Sequence, residues 1–408
     1  MRNLRLCLHC VLAAGWLAWL LCVIVHPGKF QWDLPCYYYG AQAMEKGLNP
    51  FDFAELRALS GQTAEHPYDY PLAVPFVCKP LAALPYDVAY YVWLALKVAA
   101  LGGLLAVWRL GFLRRSDGLL LSAVAFFGFY GPMVWDLQSG NHTAFDQVFL
   151  WLGLLAYLHD RRWLFAACIV PASLANLTPA AFLGLLLVGR GNFRRNLLPF
   201  AVGMGVVGIV FAGPFLARPD LWPSFVADLA YGRDTGSANP CFVSLVDEAL
   251  GWRSSLPLAA RRRLAEPIWA AFALLVAAVS LRRFRQAAGS GDRFALAMAW
   301  TILYALMMPR MMLYTYMMLV VPAVAAVEDL SLSRAVLAVA LLSVPTLSRA
   351  LPGGVDMLVR NYYPWFLLVG LWAYWLWRPS LYVGYWQRMM GPGDATGQTL
   401  ADTAEDQG

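Results

Sequence analysis

A single carboxylate lies shortly after the first apolar run, at a place where it could do chemistry at a membrane edge. Asp33 lies in the segment QWDLPCYYYGAQAMEKG and precedes an aromatic helix predicted over Tyr37 to Lys46, which Gly47 would end. An aspartate at this position could cap the helix, which would be a stabilising role. Alternatively, partial burial would raise its pKa and make it a usable general base towards a sugar hydroxyl. The sequence alone leaves both interpretations open.

An arginine stands where two apolar runs meet. Arg310 directly follows Pro309, between a run that ends at Met308 and one that begins at Met311. An arginine near the hydrocarbon boundary is costly unless it is paired or reaches the interface. Its guanidinium suits bidentate contact with a phosphate and could stabilise one that departs. A snorkelling end residue, or a salt bridge with an acid of a loop, is the alternative.

A third polar group opens the apolar run that ends at Leu158. Asn141 and His142 stand at the predicted N-terminus of this helix, where free backbone amides can bind an anion. His142 could also accept a proton, although an interfacial polar role is the simpler interpretation. Asp146 lies one turn further on, and acids inside membrane segments tend to face a cavity or a partner. His142, four residues before it, is one partner that the helix geometry offers.

Four tyrosines complete the set of candidate binding residues. Tyr37, Tyr38, Tyr70 and Tyr314 could stack on a sugar or hydrogen-bond to its hydroxyls. The alternative for each is a place in the aromatic belt of a membrane protein. We find no phosphate-binding loop, nucleophile elbow, dinucleotide fingerprint or metal-ligand spacing, and therefore expect no metal and no cofactor.

The composition indicates the elements that must position these residues. Of the 408 residues, 60% are hydrophobic and only 14% are charged. A soluble domain has about 25% charged residues, so an ordinary soluble enzyme and a disordered chain are excluded. The net charge of +6 does not indicate nucleic-acid binding, because the basic residues lie between apolar blocks rather than on one face. The chain is therefore predicted to cross a membrane several times.

Apolar runs and arginines predict the topology. We expect an all-α polytopic membrane protein with about 10–12 transmembrane helices, including a short-helix hairpin broken at Asn176-Leu177-Thr178-Pro179. Basic residues are denser in the segments that this arrangement leaves inside, so both termini are expected in the cytoplasm and the protein in the plasma (inner) membrane. One transmembrane domain would cover 1–390, followed by a disordered cytoplasmic tail over 391–408.

Two long outer segments are expected to carry the chemistry. They cover 27–87 and 217–267 and are predicted to contain short interfacial helices. The second includes Arg261-Arg262-Arg263, which we place in an amphipathic segment at the outer surface or, alternatively, in a cytoplasmic loop. The seven cysteines are scattered and are interpreted as core residues. Cys36 and Cys241 fall in different outer segments, where a disulfide could join them.

Short motifs follow one another along the chain in a characteristic order. They are Asp33-x-x-x-Tyr37-Tyr38, Gly47-Leu48-Asn49-Pro50-Phe51, Tyr68-x-Tyr70-Pro71-Leu72, Leu84-Pro85, Ser139-Gly140-Asn141-His142-Thr143, Asn176-Leu177-Thr178-Pro179, Asn239 to Ser244, and Met308-Pro309. In this order they resemble the motifs of glycosyltransferase family 87, in the GT-C superfamily, over about three-quarters of the chain.

The resemblance implies a GT-C-like fold and an enzyme that takes a sugar from a polyprenyl-phosphate donor. The acceptor would be a hydroxyl on a glycolipid or glycan at the outer face of the membrane, in the cell envelope, and transfer would invert the anomeric centre. The first-loop acid of the family falls on Asp33, and its Asn-x-Ser element falls on Asn239. The implied partners are membrane lipid, donor and acceptor, with no nucleic acid.

Two other functions fit a many-helix membrane protein. A lipid-linked sugar flippase or transporter would be expected to show internal repeats and broken helices near mid-membrane. We find one broken hairpin and no second copy of it. A non-catalytic subunit of an envelope-assembly complex would not need Asp33, Arg310 and Asp146 to converge. The relative positions of these three side chains therefore discriminate between the functions.

Overall fold

A computed structural model describes residues 2–188, 193–231, 236–253, 256–343, 353–378 and 380–390. These ranges are helical and contain no strand, and the predicted tail over 391–408 lies outside them. The α-helices, in chain order, are α1 (Arg2–Val25), α2 (Leu34–Glu45), α3 (Phe53–Leu59), α4 (Ala73–Ala82), α5 (Tyr86–Val107), α6 (Gly118–Phe127), α7 (Pro132–Ser139), α8 (Thr143–Leu158), α9 (Arg162–Ala172), α10 (Leu185–Val188), α11 (Phe193–Ala217), α12 (Trp222–Tyr231), α13 (Phe242–Arg253), α14 (Leu258–Ser290), α15 (Arg293–Met307), α16 (Val320–Glu328), α17 (Leu332–Ser343), α18 (Gly353–Trp377) and α19 (Tyr385–Met390).

The longest apolar helices can cross a membrane. Within the described ranges, three pass by length and composition: Tyr86–Phe112, Phe193–Ala217 and Ala260–Ser290. Helices α6 and α7 form a pair bent by 65° that counts as a fourth span if the two are taken together. Several other predicted runs correspond to apolar helices of 10–17 residues, including α8, α9 and α15. The all-α polytopic architecture expected from the sequence is confirmed, whereas only three or four spans of the 10–12 expected pass by length and composition in the described ranges.

The apolar run from Trp163 to Val188 breaks near the predicted motif. Helix α9 ends at Ala172, and a 3₁₀ helix over Thr178–Gly184 leads into the short α10. The Asn176 Oδ1 accepts hydrogen bonds from the backbone N–H and the hydroxyl of Thr178, at 3.1 and 2.9 Å. Pro179 follows in the first turn of the 3₁₀ helix, where its missing N–H costs little.

Both long outer segments of the prediction contain helices. Segment 27–87 contains α2, α3 and α4, and segment 217–267 contains α12, α13 and the start of α14. Arg261-Arg262-Arg263 lies in the first turns of α14. These arginines are therefore part of a 33-residue helix and do not form a separate amphipathic segment.

The predicted disulfide between Cys36 and Cys241 is wrong, because both are free thiols. Their Sγ atoms donate to the carbonyls of His66 and Pro309, respectively.

The turn between α6 and α7 is built from left-handed residues. Phe129, Tyr130 and Gly131 have φ angles of 55°, 68° and 66°. Bulky side chains rarely adopt this conformation, which costs of order 1–3 kcal/mol per residue and persists only where packing enforces it. Phe129 is fully buried with its ring 5.8 Å from that of Tyr316, and this contact contributes to such packing. The turn redirects the chain so that α7 enters the protein interior.

A buried ion pair joins α5 to α7. The Lys97 Nζ lies 2.5 Å from the Asp136 Oδ2, and both side chains are fully buried. The same ammonium donates a hydrogen bond to the backbone carbonyl of Asn141, just before α8. Taking two charges out of water is expensive, and the pair is stable only because each partner compensates the other. Lys97 therefore holds α5, α7 and the start of α8 together.

We expect Lys97→Met to lower the free energy of unfolding by about 3–5 kcal/mol, because it leaves the Asp136 charge buried without its counterion. Denaturant unfolding in detergent micelles measures the change. Lys79→Met is the matched control, since Lys79 pairs with Glu45 at 3.1 Å on the surface with 63% of its side chain exposed. An exposed pair contributes about 0–1 kcal/mol. The double variant Lys97→Met with Asp136→Leu should recover much of the loss, and equal losses at Lys97 and Lys79 would contradict the argument.

Candidate active site

The segment that carries Asp33 is fixed to the C-terminal end of α7. The Gln31 backbone N–H donates to the carbonyl of Gln138 at 2.7 Å, and the Gln31 side-chain amide donates to the carbonyl of Leu137. The Asp33 backbone N–H donates to the carbonyl of Ser139 at 2.8 Å. These bonds satisfy carbonyls that the end of a helix leaves without partners. Gln31 adopts a φ of 60° in this segment.

Asp33 occupies the N-cap position of α2 but does not cap it. Its side chain makes no capping hydrogen bond, although Pro35 in the first turn is typical of a helix start. Instead, the Asp33 Oδ2 accepts a hydrogen bond from the Asn141 Nδ2 at 2.8 Å. The prediction that the Asp33 side chain caps the helix is therefore wrong, because this side chain contacts Asn141 instead.

Asn141 connects Asp33 to two tyrosines. Besides the Asp33 contact, its Nδ2 lies 3.2 Å from the hydroxyl of Tyr70 and 3.0 Å from that of Tyr314. Its Oδ1 accepts from both the backbone N–H and the hydroxyl of Thr143, at 3.1 and 2.7 Å, and so begins α8. Lys97 donates a hydrogen bond to the backbone carbonyl of Asn141, so Asn141 is anchored through its backbone as well as its side chain.

The surroundings of Asp33 favour a carboxyl that titrates near neutrality. Burial raises the pKa of Asp33 to about 6, and the hydrogen bond from Asn141 lowers it, so burial is the larger effect. A carboxylate with a pKa in this range is a stronger base than a solvated aspartate and is still ionised at neutral pH. Asp33 is thus suited to accept a proton from a hydroxyl group.

Arg310 is held by an acid and by the second long segment. Its Nη1 donates to the Asp69 Oδ2 at 2.8 Å, which is the salt bridge that the sequence left as an alternative. Burial lowers and the Asp69 carboxylate raises the pKa of Arg310, with a net upward shift that keeps the guanidinium charged. Next to it, the Met311 backbone N–H donates to the Asn239 Oδ1 at 2.7 Å. Asn239 is 3% exposed, so it holds the backbone next to Arg310 from the protein interior.

Two cavities meet at Arg310. One, of about 280 Å³, is lined by Asp33 together with Trp32, Trp135 and His66. The other, of about 260 Å³, is lined by Asn141 and His142 and by apolar groups that include Phe211 and Phe225. The residues common to both are Asp69, Tyr70, Arg310, Met312 and Tyr314. The Asp69–Arg310 pair and the two tyrosines therefore form the wall between the cavities.

The remaining predicted residues divide into two groups. His142 lines the second cavity, and its Nδ1 lies 2.7 Å from the Asp146 Oδ2, so the predicted pairing between these two side chains is present. Tyr37 is fully buried behind Tyr70 and donates to its hydroxyl at 3.0 Å. Tyr38 does not join the site, because its hydroxyl donates to the carbonyl of Leu84 and its ring packs on Tyr39 and Tyr86.

A comparison with known families identifies the chemistry class. A model of glycosyltransferase family 87 matches residues 68–315, which is more than half of the chain. The chain belongs to glycosyltransferase family 87. No curated protein and no solved structure matches it. The protein is a membrane glycosyltransferase, as the motif order indicated. The matched region includes Tyr70, Asn141, Arg310 and Tyr314, and begins after Asp33.

Sequence reasoning missed three charged residues of this family-87 glycosyltransferase. Lys97 is not among the candidate residues of the sequence analysis, although a lysine inside an apolar run is a signal of a buried partner. Asp136 and Asp69 are not among those candidates either. Their pairing with Lys97 and Arg310 joins positions that are 39 and 241 residues apart in the chain. No local spacing indicates contacts of that range.

The pH dependence of this glycosyltransferase tests Asp33 as a base. Above its pKa the carboxylate can accept a proton and below it cannot, so kcat/KM should fall about tenfold per pH unit as pH drops below about 6. Asn141→Ala should move the midpoint to higher pH, because the lost hydrogen bond no longer lowers the pKa of Asp33. Initial rates in lipid nanodiscs between about pH 5 and pH 8 measure the midpoint. A midpoint that is the same in Asn141→Ala would refute the assignment.

Gly140 tests whether the Asp33 segment must dock on α7. Gly140 has a φ of +75°, and a Cβ there would lie 2.8 Å from the Gln31 Cα, so Gly140→Ala should displace Asp33. We expect kcat to fall by roughly 10²-fold, which is the cost of a misplacement of about 1 Å. Gly47→Ala is the control, because Gly47 has a φ of +70° with nothing within 4 Å of the new Cβ. Both variants should lose about 1 kcal/mol or more of stability, and only Gly140→Ala should lose activity.

Proposed function

We propose that this protein transfers a sugar from a polyprenyl-phosphate donor to an acceptor hydroxyl, with inversion at the anomeric carbon. The acceptor hydroxyl belongs to a glycolipid or glycan at the outer face of the plasma (inner) membrane, and both termini lie in the cytoplasm. One observation carries the proposal: a candidate base, Asp33, and a charged guanidinium, Arg310, line the same cavity. Donor, acceptor and stereochemistry are inferred from that arrangement together with membership of the family.

The donor occupies the cavity of about 260 Å³. Its apolar wall includes Phe211, on the candidate membrane span α11, and Phe225, on α12, which suits a polyprenyl chain. Arg310 lies at the boundary of this cavity, where its guanidinium binds the phosphate. A guanidinium can bind a carboxylate and a phosphate through different N–H groups, so Asp69 orients Arg310 for this contact. The amides at the start of α8, next to Asn141 and His142, add a favourable environment for the anion.

The reaction is a single displacement. Asp33 takes the proton of the acceptor hydroxyl as its oxygen forms a bond to the anomeric carbon. The bond from that carbon to the phosphate oxygen breaks on the opposite face, and the electron pair remains on the departing polyprenyl phosphate. Arg310 stabilises the resulting charge, so no proton needs to be donated to the leaving group. The proton then leaves Asp33 to water, because the Asp33 side chain is only partly buried.

Family membership favours sugar transfer over the two other functions that the sequence left open, a lipid-linked sugar flippase or transporter and a non-catalytic envelope-assembly subunit. The convergence of Asp33 and Arg310 on one cavity also favours transfer. Asp146 lies behind His142 and pairs with it, so we propose that it orients the imidazole. We propose that the enzyme needs no metal or cofactor, because the guanidinium supplies the positive charge that the leaving phosphate requires.

Asp33→Asn should lower kcat for transfer by about 10²–10⁴-fold, since this is the usual contribution of a general base, and should leave donor binding unchanged. Transfer from a panel of polyprenyl-phosphate sugars by the purified protein in nanodiscs measures kcat. Equilibrium binding of the same donors measures their affinity for the variant. Asp87→Asn is the control, because Asp87 is an exposed acid in the first turn of α5. Transfer by Asp33→Asn at the wild-type rate would remove Asp33 from the base role.

A further inference from the structure

The cavity that contains Asp33 also contains two tryptophans that the proposed mechanism does not use. Trp32 and Trp135 both line it, and each is partly buried. Their ring centroids lie 6.5 Å apart at an interplanar angle of 76°. A perpendicular pair of this kind offers a flat ring face beside a ring edge, which is a surface that a ligand with an apolar face can contact.

These tryptophans differ from those at the protein surface. Trp163 and Trp377 are 54% and 69% exposed, as expected for side chains that face lipid or the interface. Trp32 and Trp135 instead share their cavity with a candidate base and with the polar side chains His66 and Asp69. A place in an aromatic belt does not account for rings that share a partly enclosed cavity with charged and polar side chains.

The backbone that carries the two tryptophans is held by the hydrogen bonds that also hold Asp33. Trp32 lies between Gln31 and Asp33, whose backbone N–H groups both donate to carbonyls at the end of α7. Trp135 lies on α7 itself, next to Asp136 and its buried pair with Lys97. Any group that packs on these rings is therefore held at a defined distance from the Asp33 carboxylate.

We propose that Trp32 and Trp135 form the binding platform for a sugar ring of the acceptor, so that the acceptor is a carbohydrate hydroxyl and not the alcohol of a lipid. The inference rests on the proposed function, in which Asp33 deprotonates the acceptor. A sugar ring has an apolar C–H face that packs on an indole, and hydroxyls at its edge that bind polar groups. The cavity supplies both kinds of contact, through the two indoles and through His66, Asp69 and the Tyr70 hydroxyl.

Steady-state transfer in nanodiscs, with no glycoside detergent present, tests the platform. The probes are octyl mannopyranoside, octyl glucopyranoside and octyl arabinofuranoside as sugar acceptors, and 1-octanol as an acceptor without a sugar ring. Wild-type protein should use a glycoside at least tenfold better than 1-octanol, as judged by kcat/KM. Trp32→Ala and Trp135→Ala should each raise the KM for that glycoside at least tenfold and change the donor KM less than twofold. Trp163→Ala, at an exposed position on α9, is the matched control and should change neither constant.

Trp32→Phe and Trp135→Phe keep a ring and serve where an alanine variant does not fold, as judged by size-exclusion chromatography and thermal unfolding. Each should raise the acceptor KM at least threefold, because a smaller ring covers less of the sugar. The proposal is overturned if folded variants keep the wild-type acceptor KM, if the donor KM rises instead, or if wild-type protein uses 1-octanol as well as a glycoside. In all three cases transfer by the wild-type protein still supports the proposed function, whereas a wild-type protein that neither transfers nor hydrolyses any donor refutes that function itself.

Discussion

The site depends on one buried ammonium. Lys97 is fully buried on α5, and its charge is balanced by Asp136 on α7 and by the backbone carbonyl of Asn141. An uncompensated charge at this depth is too costly to keep, so the three elements are held together as a unit. Asn141 then presents its amide to Asp33 at 2.8 Å. The position of the candidate base is thus set by an ion pair that touches neither cavity.

Much of the architecture could be predicted from the sequence because it depends on local patterns. Apolar runs indicated a many-helix membrane protein, and the Asn176-Leu177-Thr178-Pro179 motif marked a real break in a helix. The order of weak motifs indicated the family, which the match over residues 68–315 confirms. Among the candidate site residues, Asp33, Tyr70, Asn141 and Tyr314 were singled out separately, and the structure brings them together around one amide.

The predictions that were wrong or incomplete concern side-chain directions and long-range pairs. The sequence analysis grouped Tyr38 with Tyr37 because both are tyrosines. Adjacent residues on a helix point in different directions, and the Tyr38 hydroxyl donates to the Leu84 carbonyl instead. The pairs Lys97–Asp136 and Asp69–Arg310 join distant parts of the chain and leave no local pattern. Whether an aspartate at a helix start caps it or faces a cavity is decided by tertiary contacts, which for Asp33 come from α7 and Asn141.

The bond between Asp69 and Arg310 has a consequence for biogenesis. Asp69 and Arg310 are 241 positions apart in the chain. The ribosome therefore synthesises most of the membrane helices after Asp69 and before Arg310 is available to pair with it. The wall between the cavities is therefore absent from every shorter nascent chain, even one whose early helices are already in the bilayer. A copy that ends before Arg310 would therefore occupy the membrane with an incomplete site.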